Sequence, residues 1–267
     1  MTTKTTHGAK RRPSPASVRY PKQRGRPSSE RPAPSSRLLF LGAVGAAVVL
    51  AGALVAASQL GSRSAASGER PTAIAGTAAT QRLLGGIPQD GVVLGAPDAP
   101  VTLVEYADIQ CPYCGMWARD VFPTVVNEYV RPGKVRLELR PLAFVGADSE
   151  TGARAALAAA SQHKLWNVVD LLYRDQGAEN TGWLTESFLR SVAGSVPGLD
   201  HARMLADAGS IAVEQELGSV ASAATAARVE RTPTFDLGPT GGPLHRLEVD
   251  ALDVRTFRAA LDRALVR

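Results

Sequence analysis

The residues best suited to chemistry are Cys111 and Cys114, the only two cysteines among the 267 residues of the chain. Pro112 and Tyr113 separate them, an apolar run precedes them, and a segment with helical periodicity follows. Cysteines three positions apart at the start of a helix lie on one side of it, close enough for a disulfide with little backbone movement. The spacing therefore predicts a redox centre in which a dithiol and a disulfide interconvert.

The two thiols are expected to differ in acidity. Cys111, at the helix N-terminus, faces free backbone N–H groups and the positive end of the helix dipole, and both favour its thiolate. Pro112 suits the first helical position, because its missing N–H is not needed there. Cys114, one turn further along and more buried, should remain a thiol until it attacks. In the predicted cycle a substrate thiolate attacks Cys111, and a second substrate thiol releases the oxidised product.

Two other uses of the cysteine pair remain open, a static disulfide and half of a metal site. A disulfide that closes so short a loop adds little stability. A metal site needs further ligands, and His163, His201 and His245 show no spacing pattern relative to the cysteines. We therefore expect no bound metal and no cofactor, with a non-catalytic metal-binding module as the alternative from another functional class.

The elements around the cysteines indicate an α/β domain. Apolar runs predict five strands, at 92–94, 101–106, 135–139, 234–237 and 244–249. A helix is expected from Cys114 to about Val130, with a kink at Pro123, and another follows Val254. Between the third and fourth strands the patterns are all helical. The order βαβ, helices, ββα predicts a thioredoxin fold with an inserted helical domain.

The N-terminal part has a different composition from the domain. Residues 1–37 contain ten Lys or Arg and one acidic residue, a charge of +9, whereas the whole chain carries +5. This tail is expected to be disordered, and its charge gives no reason to expect nucleic-acid binding by the folded part. Residues 38–57 are uncharged and, as a helix, would be about 30 Å long, the thickness of a bilayer core. The basic flank places the N-terminus in the cytoplasm and the domain outside the cell membrane.

The sequence thus predicts six segments along the chain. A signal peptide cleaved near Val55-Ala56-Ala57 is the alternative to an uncleaved anchor, and both would export the domain. The segments are a disordered basic tail (1–37), a single transmembrane helix (38–60), a flexible linker (61–90), the N-terminal part of the thioredoxin fold (91–148), a helical insertion (149–227) and the C-terminal part of the thioredoxin fold (228–267).

Three motifs together resemble one known family. They are GAPDAPVTLVEYADIQCPYC at 95–114, RPL at 140–142 and RTPTF at 231–235. The chain resembles the DsbA-like thiol-disulfide oxidoreductases, in particular their membrane-tethered actinobacterial and Gram-positive forms, over about residues 90–267. The resemblance implies an extracytoplasmic oxidase of reduced exported proteins, reoxidised by a membrane quinone-linked enzyme of the DsbB type or related to vitamin K epoxide reductase. Some members carry a second, structural cysteine pair, which this chain lacks.

The resemblance also implies roles for particular residues. Thr232-Pro233 matches the family's cis-proline loop, which presents the backbone of Thr232 to an extended substrate, although most X-Pro bonds are trans and an ordinary turn is the alternative. Glu105 matches a buried acid that could exchange protons with Cys114, unless it reaches solvent at the end of its strand.

Pro112 and Tyr113, between the cysteines, are expected to contact the substrate, and Tyr113 to tune the redox potential. A disulfide reductase or isomerase on the same fold is the closest alternative function, because Cys-Pro-Tyr-Cys also occurs in glutaredoxins.

Overall fold

Strand β3 (Val101–Asp108) forms the centre of the fold in the computed structural model, which describes residues 74–266. Every residue of β3 is buried, as expected for an apolar strand that is covered on both faces. It pairs in parallel with β4 (Val135–Leu142) and antiparallel with β5 (Thr234–Pro239). The remaining strands, β1 (Gln89–Asp90), β2 (Val93–Leu94) and β6 (His245–Leu247), complete a six-stranded sheet in the order β1-β2-β4-β3-β5-β6.

Helices account for the other regular elements of the described part. Between β4 and β5 all regular elements are helical: α4 (Ala147–Ala160), α5 (Leu165–Arg174), α6 (Glu186–Gly194), α7 (His201–Ala208) and α8 (Ile211–Ala226). The helices outside that segment are α1 (Thr77–Leu84), α2 (Pro112–Asp120), α3 (Phe122–Val125) and α9 (Val254–Leu265). The predicted order of βαβ, helices, ββα is therefore observed.

The two faces of β3 contact different parts of the core. Leu103 and Ala107 belong to a large hydrophobic cluster that includes Cys114, whereas Val104 and Tyr106 belong to a smaller cluster under α8. Side chains alternate between the faces of a strand. Glu105 therefore points into the large cluster, on the face that carries the cysteines.

The helix after the cysteines is interrupted near Pro123, as predicted. The α2 helix ends at Asp120, α3 begins at Phe122, and a π-helical turn (Val126–Val130) follows. Proline lacks an N–H and cannot continue the hydrogen-bond ladder of a helix interior. The strand predicted at 244–249 is shorter than expected, because β6 pairs only with residues 235–237 of β5.

The predicted flexible linker (61–90) is wrong over its last part. Helix α1 and strand β1 lie within it, and Leu83 and Leu84 are buried against the domain. The Arg131 guanidinium donates hydrogen bonds to the carbonyl oxygens of Arg82, Leu83 and Gly85 at the end of α1. These bonds satisfy carbonyls that a helix C-terminus leaves without partners.

The predicted tail (1–37) and transmembrane helix (38–60) lie outside the described residues. Within residues 74–266, no helix combines the length and apolar character needed to cross a membrane.

Candidate active site

Cys111 occupies the N-cap position of α2, immediately before Pro112. Its backbone is extended (φ −64°, ψ 119°), its N–H donates to the Asp108 carbonyl oxygen, and its own carbonyl accepts the first helical bond from Gly115 N at 3.1 Å. Pro112 takes the first turn, where no N–H is needed. The local sequence thus places the Cys111 side chain at the start of α2, where the helix leaves its first N–H groups free.

The thiol of Cys111 is the more acidic of the two. Both cysteines are free thiols, and the Cys111 Sγ donates to the carbonyl oxygen of Thr232 at 3.3 Å. A hydrogen bond from the Cys114 thiol is the largest cause that lowers the pKa of Cys111, to about 6. Bonds from the Thr232 side chain and from the N–H groups of Cys114 and Tyr113 act in the same direction, while burial opposes them. The acidity predicted for this position is therefore present, and the neighbouring thiol contributes most to it.

Cys114 has the opposite environment. It is fully buried, and burial raises its pKa well above the usual value, with further contributions from its bond to Cys111 and from the charge of Glu105. The environment of Cys111 therefore favours its thiolate, and that of Cys114 favours its protonated thiol.

Glu105 lies in the core rather than at a solvent-exposed strand end. Only 3% of the residue is exposed, and its Oε1 has no hydrogen-bond partner among the described residues. Burial raises the pKa of the Glu105 carboxyl well above its usual value, and the nearby Cys111 thiolate raises it further. A carboxyl that stays protonated beside Cys114 can supply or accept a proton there.

The Thr232-Pro233 peptide bond is cis, and its loop lies against Cys111 through the contact with the Thr232 carbonyl. A cleft of about 580 Å³ runs beside this loop and reaches Tyr113, whose residue is 59% exposed. Its other lining residues include Arg228, Glu230, Arg231 and Glu248. The structure therefore places Thr232, Pro233 and Tyr113 on one accessible surface next to Cys111.

An aromatic cluster holds the two halves of this surface together. The Trp117 ring of α2 contacts the rings of Phe235 and Phe257 at centroid distances of 5.2 and 5.8 Å. Phe235 follows Pro233 by two residues. Packing of these rings therefore fixes the position of the cysteine helix relative to the cis-proline loop.

The sequence did not single out the polar residues that support the cysteine loop. Asp108, which follows the strand predicted at 101–106, accepts bonds from the backbone N–H groups of Gln110, Phe144 and Val145. Tyr173 of α5 donates to the Asp108 carbonyl oxygen at 3.2 Å. The only local signal was the position of Gln110 directly before Cys111, since no spacing pattern connects the cysteines with α5.

Within residues 74–266, no three His, Cys, Asp or Glu side chains are arranged so that they could bind a metal ion.

Comparison with known proteins gives consistent results. The family model described as thioredoxin matches residues 88–241. A Bacillus cereus protein named probable disulfide bond formation protein D is 33% identical over 144 residues, which cover 53% of this chain and 67% of that protein. The Bacillus anthracis protein of the same name is 31% identical over 175 residues, which cover 64% of this chain and 77% of that protein.

Among solved structures, oxidised BdbD from Bacillus subtilis matches with a TM-score of 0.59 at 20% identity, over 68% of this chain and 98% of that one. At this level of identity the match establishes the fold alone. The fold is thioredoxin-like, with a mixed sheet and a helical segment between β4 and β5.

Proposed function

The chain belongs to the DsbA-like thiol-disulfide oxidoreductases of the thioredoxin superfamily, and on this premise we propose that it introduces disulfide bonds into exported proteins. The observation that carries the proposal is the difference in acidity between the cysteines, with the pKa of Cys111 lowered to about 6 and that of Cys114 raised. A thiol of low pKa is a good leaving group. The mixed disulfide at Cys111 is therefore resolved readily in favour of an oxidised substrate.

The exchange proceeds in two steps from the Cys111–Cys114 disulfide. A substrate thiolate attacks Cys111 Sγ, the bond to Cys114 breaks, and Cys114 leaves and takes up a proton. A second substrate thiolate then attacks the substrate sulfur of the mixed disulfide and expels the Cys111 thiolate. Two substrate thiols become one disulfide, and the protein disulfide becomes two thiols, so two electrons have passed to the protein.

Glu105 is the group proposed to donate a proton to the Cys114 thiolate and to accept it back. A leaving thiolate in an apolar core is costly until it is protonated, and the raised pKa of Glu105 keeps a proton available beside it. Substrate binding is assigned to Thr232, Pro233, Pro112 and Tyr113, with the Thr232 backbone pairing an extended substrate as an added strand does.

The proposed location is the outer side of the cell membrane, with residues 38–60 as a single anchor and the N-terminus in the cytoplasm. The apolar, uncharged run and the basic residues before it support this orientation. A protein that oxidises substrates must pass the electrons on, so we include a membrane quinone-linked reoxidase, of the DsbB type or related to vitamin K epoxide reductase, as its partner.

The reduction potential of the Cys111–Cys114 pair tests the direction of electron flow. Equilibration with glutathione should give a value near that of DsbA, about −120 mV, rather than that of thioredoxin, about −270 mV. A value near the latter would contradict the oxidase proposal and favour a reductase.

Trapping with a Cys114→Ala variant tests substrates and location. Without Cys114, mixed disulfides formed by Cys111 cannot be resolved within the protein, so they should accumulate with exported proteins and with the reoxidase. Cys111→Ser is the matched control and should trap nothing and oxidise nothing. Adducts confined to cytoplasmic proteins would argue against export.

A further inference from the structure

Gln176 connects the helical segment to the backbone that carries Cys111. It follows α5, and its Nε2 donates to the carbonyl oxygens of Ile109 at 2.8 Å and Cys111 at 3.0 Å. A carboxamide nitrogen has two N–H groups, so both donors are used on the two carbonyls, which lie on either side of Gln110.

We propose that Gln176 is a positioning residue of the redox reaction, which holds the Cys111 peptide so that the Cys111 sulfur stays beside the N-terminus of α2 and its free N–H groups. The Cys111 carbonyl accepts from Gly115 N as well as from Gln176. With this peptide fixed from two sides, the Cα–Cβ direction of Cys111 is fixed too. The N–H groups of Tyr113 and Cys114 then keep the geometry in which they stabilise the thiolate.

The space around Gln176 is shaped to hold it in place. Gly115 leaves room for it, because a Cβ at position 115 would lie 2.1 Å from Gln176 Oε1. Arg119, on the next turn of α2, donates to the Tyr173 carbonyl oxygen at 2.6 Å and ties the end of α5 to the same helix. Gln176 is thus wedged between α2 and the end of α5 and is not a free surface side chain.

Gln110 supports the same loop through different atoms. Its Nε2 donates to Ser149 Oγ at 3.0 Å, and its Oε1 accepts from the Asn180 N–H at 2.6 Å. These bonds anchor a side chain next to Cys111, whereas Gln176 reaches the carbonyl of Cys111 itself. The functional contribution is therefore assigned to Gln176.

The test replaces Gln176 with Met, which keeps the length of the side chain and removes its donors. The rate of alkylation of Cys111 by iodoacetamide is followed against pH in the full chain, with mass spectrometry identifying the modified cysteine. The pKa of Cys111 should rise by on the order of one unit, a tenfold smaller dissociation constant. Gln162→Met is the control, because Gln162 also holds a backbone segment, donating to the Asp200 carbonyl oxygen and accepting from the Asp200 N–H, but lies on the loop after α4.

Loss of stability in both variants with no change in the pKa of Cys111 would show a merely structural role and overturn the proposal. If the Met variant does not fold, Gln176→Asn replaces it, since the shorter amide cannot reach both carbonyls and should shift the pKa in the same direction by less. An unchanged pKa there would equally overturn it. The inference rests on the proposed function of Cys111, but the pKa measurement does not need substrate turnover. Failure of the positioning role of Gln176 is therefore distinguishable from failure of the proposed oxidase function.

Discussion

Glu105 keeps its proton in the folded chain at pH values where an exposed glutamic acid has lost it, because burial raises its pKa. In the unfolded chain the group titrates near its ordinary value of 4.5. Since the folded pKa is the higher one, its contribution to stability is complete below the unfolded pKa and is lost as the pH rises through the folded pKa. The buried acid is therefore a cost to stability at neutral pH.

Replacing Glu105 with Gln should remove this cost while conserving the shape of the side chain. The variant is expected to be more stable than the parent at neutral pH and to approach it near pH 4, where both side chains are neutral. Urea unfolding at a series of pH values measures the difference, with the exposed Glu214→Gln on α8 as control. A gain of the same size at every pH would contradict the explanation.

The sequence predicted the reactive residues better than the residues that support them. Cys111 and Cys114 were identifiable because their spacing and helix start are local features. Gln176 was not, because its contact with Cys111 depends on how α5 packs against α2, and no local pattern in the sequence reports such tertiary packing.

At the scale of elements, α4 approaches the cysteine loop closely at Gly152. A Cβ added there would lie 2.9 Å from Ile109 Cβ and 3.0 Å from both of its γ carbons. Gly152→Ala should therefore destabilise the protein by about 1–3 kcal/mol, the usual cost of overpacking, although Ala favours helices. Thermal or urea unfolding measures the change.

Gly218→Ala is the matched control for that substitution. It lies within α8, and a Cβ there would meet nothing within 4 Å. Helix propensity alone should then stabilise the protein, by up to about 1 kcal/mol. If both variants were stabilised, the contact with Ile109 would not be a tight one.

Elements with a clear hydrophobic pattern in the sequence were predicted well, and those that form only through contacts with distant residues were not. The buried strand β3 followed from an apolar run. Helix α1 was missed because its Thr- and Ala-containing sequence resembles a linker, and its stability comes from burying Leu83 and Leu84 and from the Arg131 bonds.

At the scale of the whole molecule, the low pKa of Cys111 stabilises the folded reduced protein relative to its unfolded state at pH values above about 6. Its thiolate contributes fully above the ordinary pKa of 9.0, and the contribution is lost as the pH falls through about 6. The oxidised protein has no such titration. The melting temperature of the reduced form should therefore exceed that of the oxidised form at about pH 8, and the excess should shrink by about pH 5.

The Cys111→Ser variant provides the control for this measurement. It can form neither the thiolate nor the disulfide, so its melting temperature should lack the fall between about pH 8 and about pH 5 that the reduced parent shows and the oxidised parent does not. If the excess stayed constant across the pH range in the parent, the thiolate would not be its source.

The cleft beside Thr232 has a further consequence for the kinetics of substrate capture. Its charges include Arg228, Arg231, Glu230 and Glu248, two of each sign, while Arg246 in the same wall is paired with Asp236. Balanced charges create little long-range field, so ionic strength should have little effect on the rate of encounter. Acidic and basic polypeptides would then reach Cys111 at similar rates, which suits the proposed oxidation of proteins of differing charge.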